Sequence, residues 1–154
     1  MTEFFVVATP IGNLGDITFR AIEILKNCDI ILCEDSRITN RLLIRYNIEN
    51  KKLVLYNDNS SIDDRKNILK MLLTGSNIAF VSDAGTPLIS DPGHKLIQLL
   101  RQNDIKITPI PGASSLLAAA CASAIALDQF IFLGFLPNKK IQRIEELKKI
   151  INSK

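Results

Sequence analysis

The chain has 154 residues, 47% of them hydrophobic, and a formal net charge of +3. Such apolar content supports a core and excludes a disordered chain; the length fits one domain, or one domain with the start of a second. The mild basic excess permits an RNA partner without arguing for one.

The first apolar run, residues 4–9, reads as a buried strand, and Pro10, Gly12 and Gly15 punctuate the loop after it. No basic residue precedes Arg20, so this run lacks the flank of a signal sequence. A helix is expected over residues 18–27, with Phe19, Ile22 and Leu25 on its buried face. A second strand, residues 29–33, leads through Glu34 and Asp35 into a helix over 36–46 marked by Ile38, Leu42 and Leu43. A third strand, 52–56, precedes a helix over 62–73 carrying Ile68, Leu69 and Leu72. Ser61, with Asp64 three positions on, reads as its capping box.

The fourth strand, 77–82, runs into Ser82-Asp83-Ala84-Gly85-Thr86-Pro87-Leu88-Ile89-Ser90-Asp91-Pro92-Gly93. Two glycines and two prolines make this a rigid loop able to lie against a ligand. The next helix, 94–102, shows Leu96, Leu99 and Leu100 on one side, and Asp91-Pro92 reads as its cap and first position. A fifth strand, 105–110, is followed by Pro111-Gly112-Ala113-Ser114-Ser115. The weakly polar run 113–127 is interrupted by serines and too short to span a bilayer, so the chain reads as soluble. A sixth strand is expected at 130–135, followed by Pro137. An amphipathic helix then occupies 139–154, with Ile141, Ile144, Leu147, Ile150 and Ile151 on one side. Cys28, Cys33 and Cys121 lack metal-ligand spacing and read as reduced, mostly buried thiols of a cytosolic protein.

This alternation predicts an α/β fold: a parallel sheet between two helical layers. The loops at Pro10, Gly85 and Pro111 would share one sheet edge and converge on one cleft. That cleft does not match common nucleotide sites. No G-x-x-x-x-G-K-[ST] is present, the first turn is not G-x-G-x-x-G, and His94 is the only histidine. A zinc cluster and a Ser-His-Asp triad are therefore disfavoured.

The chain resembles the tetrapyrrole methylase family. The carriers, in order, are Val7-Ala8-Thr9-Pro10-Ile11-Gly12-Asn13-Leu14-Gly15-Asp16, Cys33-Glu34-Asp35-Ser36-Arg37, the loop 82–93, Pro109-Ile110-Pro111-Gly112-Ala113-Ser114-Ser115 and Gly134-Phe135-Leu136-Pro137. Within the family the resemblance is to the branch that methylates ribosomal RNA. It implies S-adenosylmethionine as donor, a ribose 2′-oxygen of a cytidine in the 16S rRNA decoding region of the small ribosomal subunit as acceptor, and a homodimer; the residues themselves suggest no metal and no membrane. It places the donor against Pro10, Asp83, Ala84, Gly85, Thr86, Pro87, Ile89, Ser90, Ser115 and Leu116. It also implies a methylase domain over residues 1–125 and, over 126–154, the start of a truncated second α/β domain.

One departure is Ile38, where relatives often carry histidine after the acidic segment. A ribose hydroxyl is a weak acid and benefits from a base. Glu34, Asp35 and Asp16 are the carboxylates near the expected cleft, and Arg37 could bind a phosphate bidentately. Asp35 could equally cap its helix, and Arg37 could be a surface charge. Arg37, Arg41, Arg45, Lys51 and Lys52 are either a phosphate-facing patch or a solvated face. Two other functions fit the same residues: carbon methylation of a tetrapyrrole, and an inactive remnant that only binds ligand or dimerises.

Overall fold

A computed structural model describes residues 2–151. Five parallel strands, β1 (Glu3–Val7), β2 (Ile30–Cys33), β3 (Lys52–Leu55), β4 (Ile78–Val81) and β5 (Lys106–Ile110), form one sheet in the order β3-β2-β4-β1-β5. Between them run α1 (Phe19–Asn27), α2 (Ser36–Arg45), α3 (Ile62–Leu73) and α4 (His94–Gln102). After β5 come α5 (Ser115–Ala122) and α6 (Lys140–Ile151).

The strand order determines where the helices go. The first two crossovers step one way along the sheet and the next two step back. Right-handed crossovers therefore put α1 and α2 on one face and α3 and α4 on the other. The side chains follow. Val7, Ile31, Ala79 and Val81 pack with Ala21, Leu25, Leu42 and Leu43. Phe4, Leu32, Ile78 and Phe80 pack with Ile68, Leu72, Leu96 and Leu100. Alternate residues of each central strand thus enter opposite cores, which is why those strands read as continuous apolar runs. Phe80 sits at the centre of the second core, with Tyr56 edge-on at 5.8 Å and Phe4 at 6.3 Å.

The capping box is present: the Asp64 amide donates to Ser61 Oγ at 3.1 Å and the Ser61 amide to Asp64 Oδ2 at 2.7 Å. Four expectations are corrected. Phe19 is 94% exposed, because the buried stripe of α1 is Ala21 and Leu25 and the first turn projects beyond it. Ile38 likewise lies off the buried face of α2, which is Thr39, Leu42 and Leu43. Asp91-Pro92 does not cap α4; the helix starts at His94 after Gly93, whose φ of +127° breaks the run of helical backbone, and no side chain caps it. Cys28 and Cys33 are buried as expected, but Cys121 is exposed on α5, a helix that buries no residue.

Two compact units divide the chain, Met1–Ala124 and Ile125–Lys154. The first holds the whole sheet. In the second, residues 130–135 form no strand, since no other strand among the described residues of that unit offers them backbone partners. Its ordered element is α6, where the Arg143 guanidinium donates to the carbonyls of Pro137 (3.5 Å) and Asn138 (3.3 Å) ahead of the helix.

Candidate active site at the carboxyl edge of the sheet

Strands β1 and β4 are neighbours, but the helices that follow them leave to opposite faces. In open α/β sheets such a reversal opens a crevice outside the carboxyl ends of the strands. The local hydrogen bonds shape it. The Thr9 amide donates to the Gly85 carbonyl at 2.8 Å, and the Gly85 amide returns a bond to Thr9 at 3.1 Å. The Ala8 amide donates to the Ile110 carbonyl at 3.1 Å, which holds the loop after β5 against the same edge. The buried Thr9 hydroxyl donates to the Ser82 carbonyl at 3.1 Å. Three loops from distant sequence are thereby tied into one rim.

Beside this rim lies a cavity of about 450 Å³, within the range of small-molecule sites. Pro10, Ile11, Leu14, Ile38 and Leu42 give it apolar walls, while Asp83 and Arg41 bring charge to it. The loop that leaves it is strained. Between Gly85 and Gly93 four φ angles are positive, at Gly85 (+81°), Leu88 (+76°), Ser90 (+61°) and Gly93 (+127°). Positive φ costs a side-chain-bearing residue free energy, and such residues cluster where a backbone is shaped for a ligand.

Of the carboxylates that act on Glu34, Asp83 lines this cavity, whereas Asp58 and Asp91 line a separate pocket with Tyr56, Arg65 and His94. Burial, reinforced by the nearby charges of Asp91, Asp83 and Asp58, pushes the Glu34 carboxyl up to about 7. Its Oε1 is buried without a hydrogen-bond partner. Burial also raises Asp91, an effect opposed by the Ser82 hydroxyl and reinforced by Asp83. Asp35 is the opposite case. The Arg37 side chain and the Arg37 amide both donate to it, lowering it to about 2. It caps α2 through that amide at 2.8 Å, and its Oδ2 meets Arg37 Nη2 at 2.5 Å. The Asp35 amide in turn donates to Asp83 Oδ1 at 3.1 Å, linking the ends of β2 and β4.

Of the residues anticipated for a donor, Pro10, Asp83 and Ala84 line the cavity. Gly85 is bonded to Thr9 beside it, and the Thr86 hydroxyl donates to the Ala113 carbonyl at 3.4 Å. Pro87 is buried, while Ile89 and Ser90 are exposed and none of the three lines the cavity. Ser115 and Leu116 open α5, whose cap is Ser114. Sequence reasoning missed Thr39, Arg41 and Leu42 as cavity residues: Leu42 reads as part of a core stripe and Arg41 as a phosphate-facing or solvated cation, and only folding brings both to one cavity. Among the described residues no cluster of His, Cys, Asp and Glu could hold a metal ion, and no helix is long and apolar enough to cross a membrane.

Ribosomal RNA small subunit methyltransferase I of Rickettsia prowazekii is 49% identical over 146 residues, covering 95% of this chain and 50% of that protein. The protein of the same name from Leptospira biflexa is 45% identical over 149 residues, covering 95% of this chain and 62% of its own length. The chain thus spans only about half to three fifths of these relatives. Among solved structures, a cobalt precorrin-4 methyltransferase superposes with a TM-score of 0.66 at 18% identity, over 96% of this chain and 65% of that one. Uroporphyrin-III C-methyltransferase from Thermus thermophilus gives 0.62 at 19% identity, over 83% and 55%. At such identities these two show a shared fold. Residues 3–153 match the model of the Tetrapyrrole (Corrin/Porphyrin) Methylases, and the chain, with its five-stranded parallel sheet and its crevice between β1 and β4, belongs to that family.

Proposed function

We propose that the crevice is the donor site of an S-adenosylmethionine-dependent methyltransferase. Its acceptor is the ribose 2′-oxygen of a cytidine in the decoding region of 16S rRNA in the small ribosomal subunit, and it works in the cytoplasm as a homodimer. The observation that carries this reading is the cavity beside the reciprocal pair of Thr9–Gly85 backbone hydrogen bonds, set where the sheet connections reverse. The naming of the relatives at 49% and 45% identity supports the choice of ribosomal RNA over a tetrapyrrole.

The residues fit this donor. Apolar walls at Pro10, Ile11 and Leu42 suit an adenine, and the Asp83 carboxylate in the lining suits a ligand with a cationic sulfonium and ammonium. When bound, S-adenosylmethionine supplies a methyl group already activated on sulfur, so the protein's main task is positioning. Pro10 and the loop residues Asp83, Ala84, Gly85, Thr86, Pro87, Ile89 and Ser90 hold the donor, with Ser115 and Leu116 at the start of α5. Glu34 accepts the ribose hydroxyl proton, since a carboxylate raised to about 7 is a far better base than one held near 2. Asp35 fixes the start of α2, and Arg37, already paired with it, presents its remaining donors to a phosphate.

Calorimetric titration with S-adenosylhomocysteine tests the donor site. Micromolar binding is expected, and its loss in Gly85→Arg. Transfer of labelled methyl groups to 30S subunits, recovered as 2′-O-methylcytidine, tests the acceptor. A folded chain without affinity for S-adenosylhomocysteine overturns the donor reading, and label on a porphyrinoid but not on 30S RNA overturns the acceptor.

A further inference from the structure

The exposed side of α2 has a composition unlike the rest of the chain. Lysine is the commoner cation overall, 12 residues against 7 arginines. Yet this ten-residue helix carries Arg37, Arg41 and Arg45, no lysine and no acid. Residues four apart in a helix stack on one side, about 6 Å apart along its axis. The three arginines are all exposed and lie away from the buried Thr39, Leu42 and Leu43.

The ladder adjoins the crevice. Arg41 lines the cavity itself. The Arg45 guanidinium lies 5.9 Å from the centre of the Tyr46 ring, and the Tyr46 hydroxyl donates at 2.5 Å to the carbonyl of Leu14, another cavity residue. Only Arg37 is neutralised, by Asp35; among the described residues no carboxylate is within ion-pair distance of Arg41 or Arg45. Lys51 is not part of the ladder, because its ammonium donates to the carbonyls of Lys26 (2.5 Å) and Cys28 (2.7 Å) at the end of α1.

We propose that Arg37, Arg41 and Arg45 form a phosphate-tracking ladder that lays one strand of RNA along α2 and brings its ribose to the cavity. The inference rests on reading the crevice as the donor site of an RNA-modifying enzyme. Guanidinium forks match phosphate oxygens bidentately, and a row at regular spacing suits a chain of phosphates better than a lone anion. Single-stranded RNA is the fitting partner, because a ribose must leave its helix to enter a cavity.

The test is fluorescence anisotropy of the 154-residue chain with a fluorescein-labelled single-stranded oligoribonucleotide of the decoding-region sequence, over a salt series. On single strands each phosphate contact contributes about 0.7 to the slope of log K against log salt. R45Q is expected to lower the slope by about 0.7 and R41Q/R45Q by about 1.4, while R41K/R45K keeps it. R101Q on α4, across the sheet, leaves affinity and slope unchanged. An unchanged slope in R41Q/R45Q, or no RNA binding by the parent chain, overturns the ladder. Titrating the parent chain with S-adenosylhomocysteine separates the two readings. Donor binding with an RNA slope indifferent to α2 refutes the ladder alone; RNA binding through α2 without donor binding refutes the donor site alone.

Discussion

Gly93→Ala probes how tightly the strained loop is locked to the core. A Cβ at this position would sit 2.7 Å from Leu88 Cδ2 and 2.7 Å from Phe80 Cε1, closer than van der Waals contact allows. Leu88 has some room, being half-buried, but Phe80 is fully buried between α3 and α4 and cannot retreat without repacking that core. Overpacking of this kind costs about 1–3 kcal/mol. Holding an alanine at φ +127° adds about 1–2 kcal/mol. The sum, about 2–5 kcal/mol, is a large share of the 5–15 kcal/mol that stabilises an ordinary domain. At about 4 °C per kcal/mol for a unit of this size, melting should fall by about 8–20 °C. Gly75→Ala is the control: its φ is +111°, but nothing lies within 4 Å of the added carbon. Only the backbone contribution remains, about 4–8 °C. The assay is thermal unfolding of both variants by circular dichroism. If G93A melts within about 2 °C of G75A, the close contact with Phe80 and Leu88 is not what holds the loop.

Glu34→Gln should change how stability depends on pH. The folded carboxyl titrates near 7 rather than 4.5, so the stability contributed by protonated Glu34 is full below about pH 4.5 and lost as pH rises through 7. Denaturant titrations at about pH 5 and about pH 8 should find E34Q stabilised relative to the parent only at the higher pH, by about 1 kcal/mol after allowance for solvent screening; an equal response of both proteins would contradict this. The same variant should lose methyl transfer while keeping affinity for S-adenosylhomocysteine. Leu100→Ala empties a fully buried position beneath α4 and should cost about 2–5 kcal/mol, read as a lower urea midpoint. A thiol-reactive dye should label Cys121 rapidly and leave Cys28 and Cys33 untouched in the native state, because burial both shields those two thiols and raises their pKa; fast labelling of a second cysteine would refute the packing of β2 and the end of α1.

Local chemistry made much of this molecule legible before folding. The spacing of Ile68, Leu69 and Leu72, with Ser61 and Asp64 ahead of them, marks α3 at both ends, because capping and helical periodicity act within a few residues. Phe19 misled because a stripe read from spacing does not say where the sheet beneath it stops. Residues 130–135 misled for a related reason. Strand composition is local, but a strand exists only when another strand supplies its hydrogen bonds. α5 escaped notice because its alanine-rich run, SLLAAACA, has no apolar stripe to set it apart.

By itself, then, the order of residues determined the alternating elements, the parallel α/β class and the loops rich in glycine and proline that carry the family resemblance. Only the tertiary structure decided that β4 lies between β2 and β1, which puts Ser82 and Asp83 against Thr9 and Pro10. It also decided that Glu34, and not its neighbour Asp35, carries the raised carboxyl. Those outcomes depend on crossover handedness, burial and the charges of Asp58, Asp83 and Asp91, which come together only when distant segments share one sheet edge.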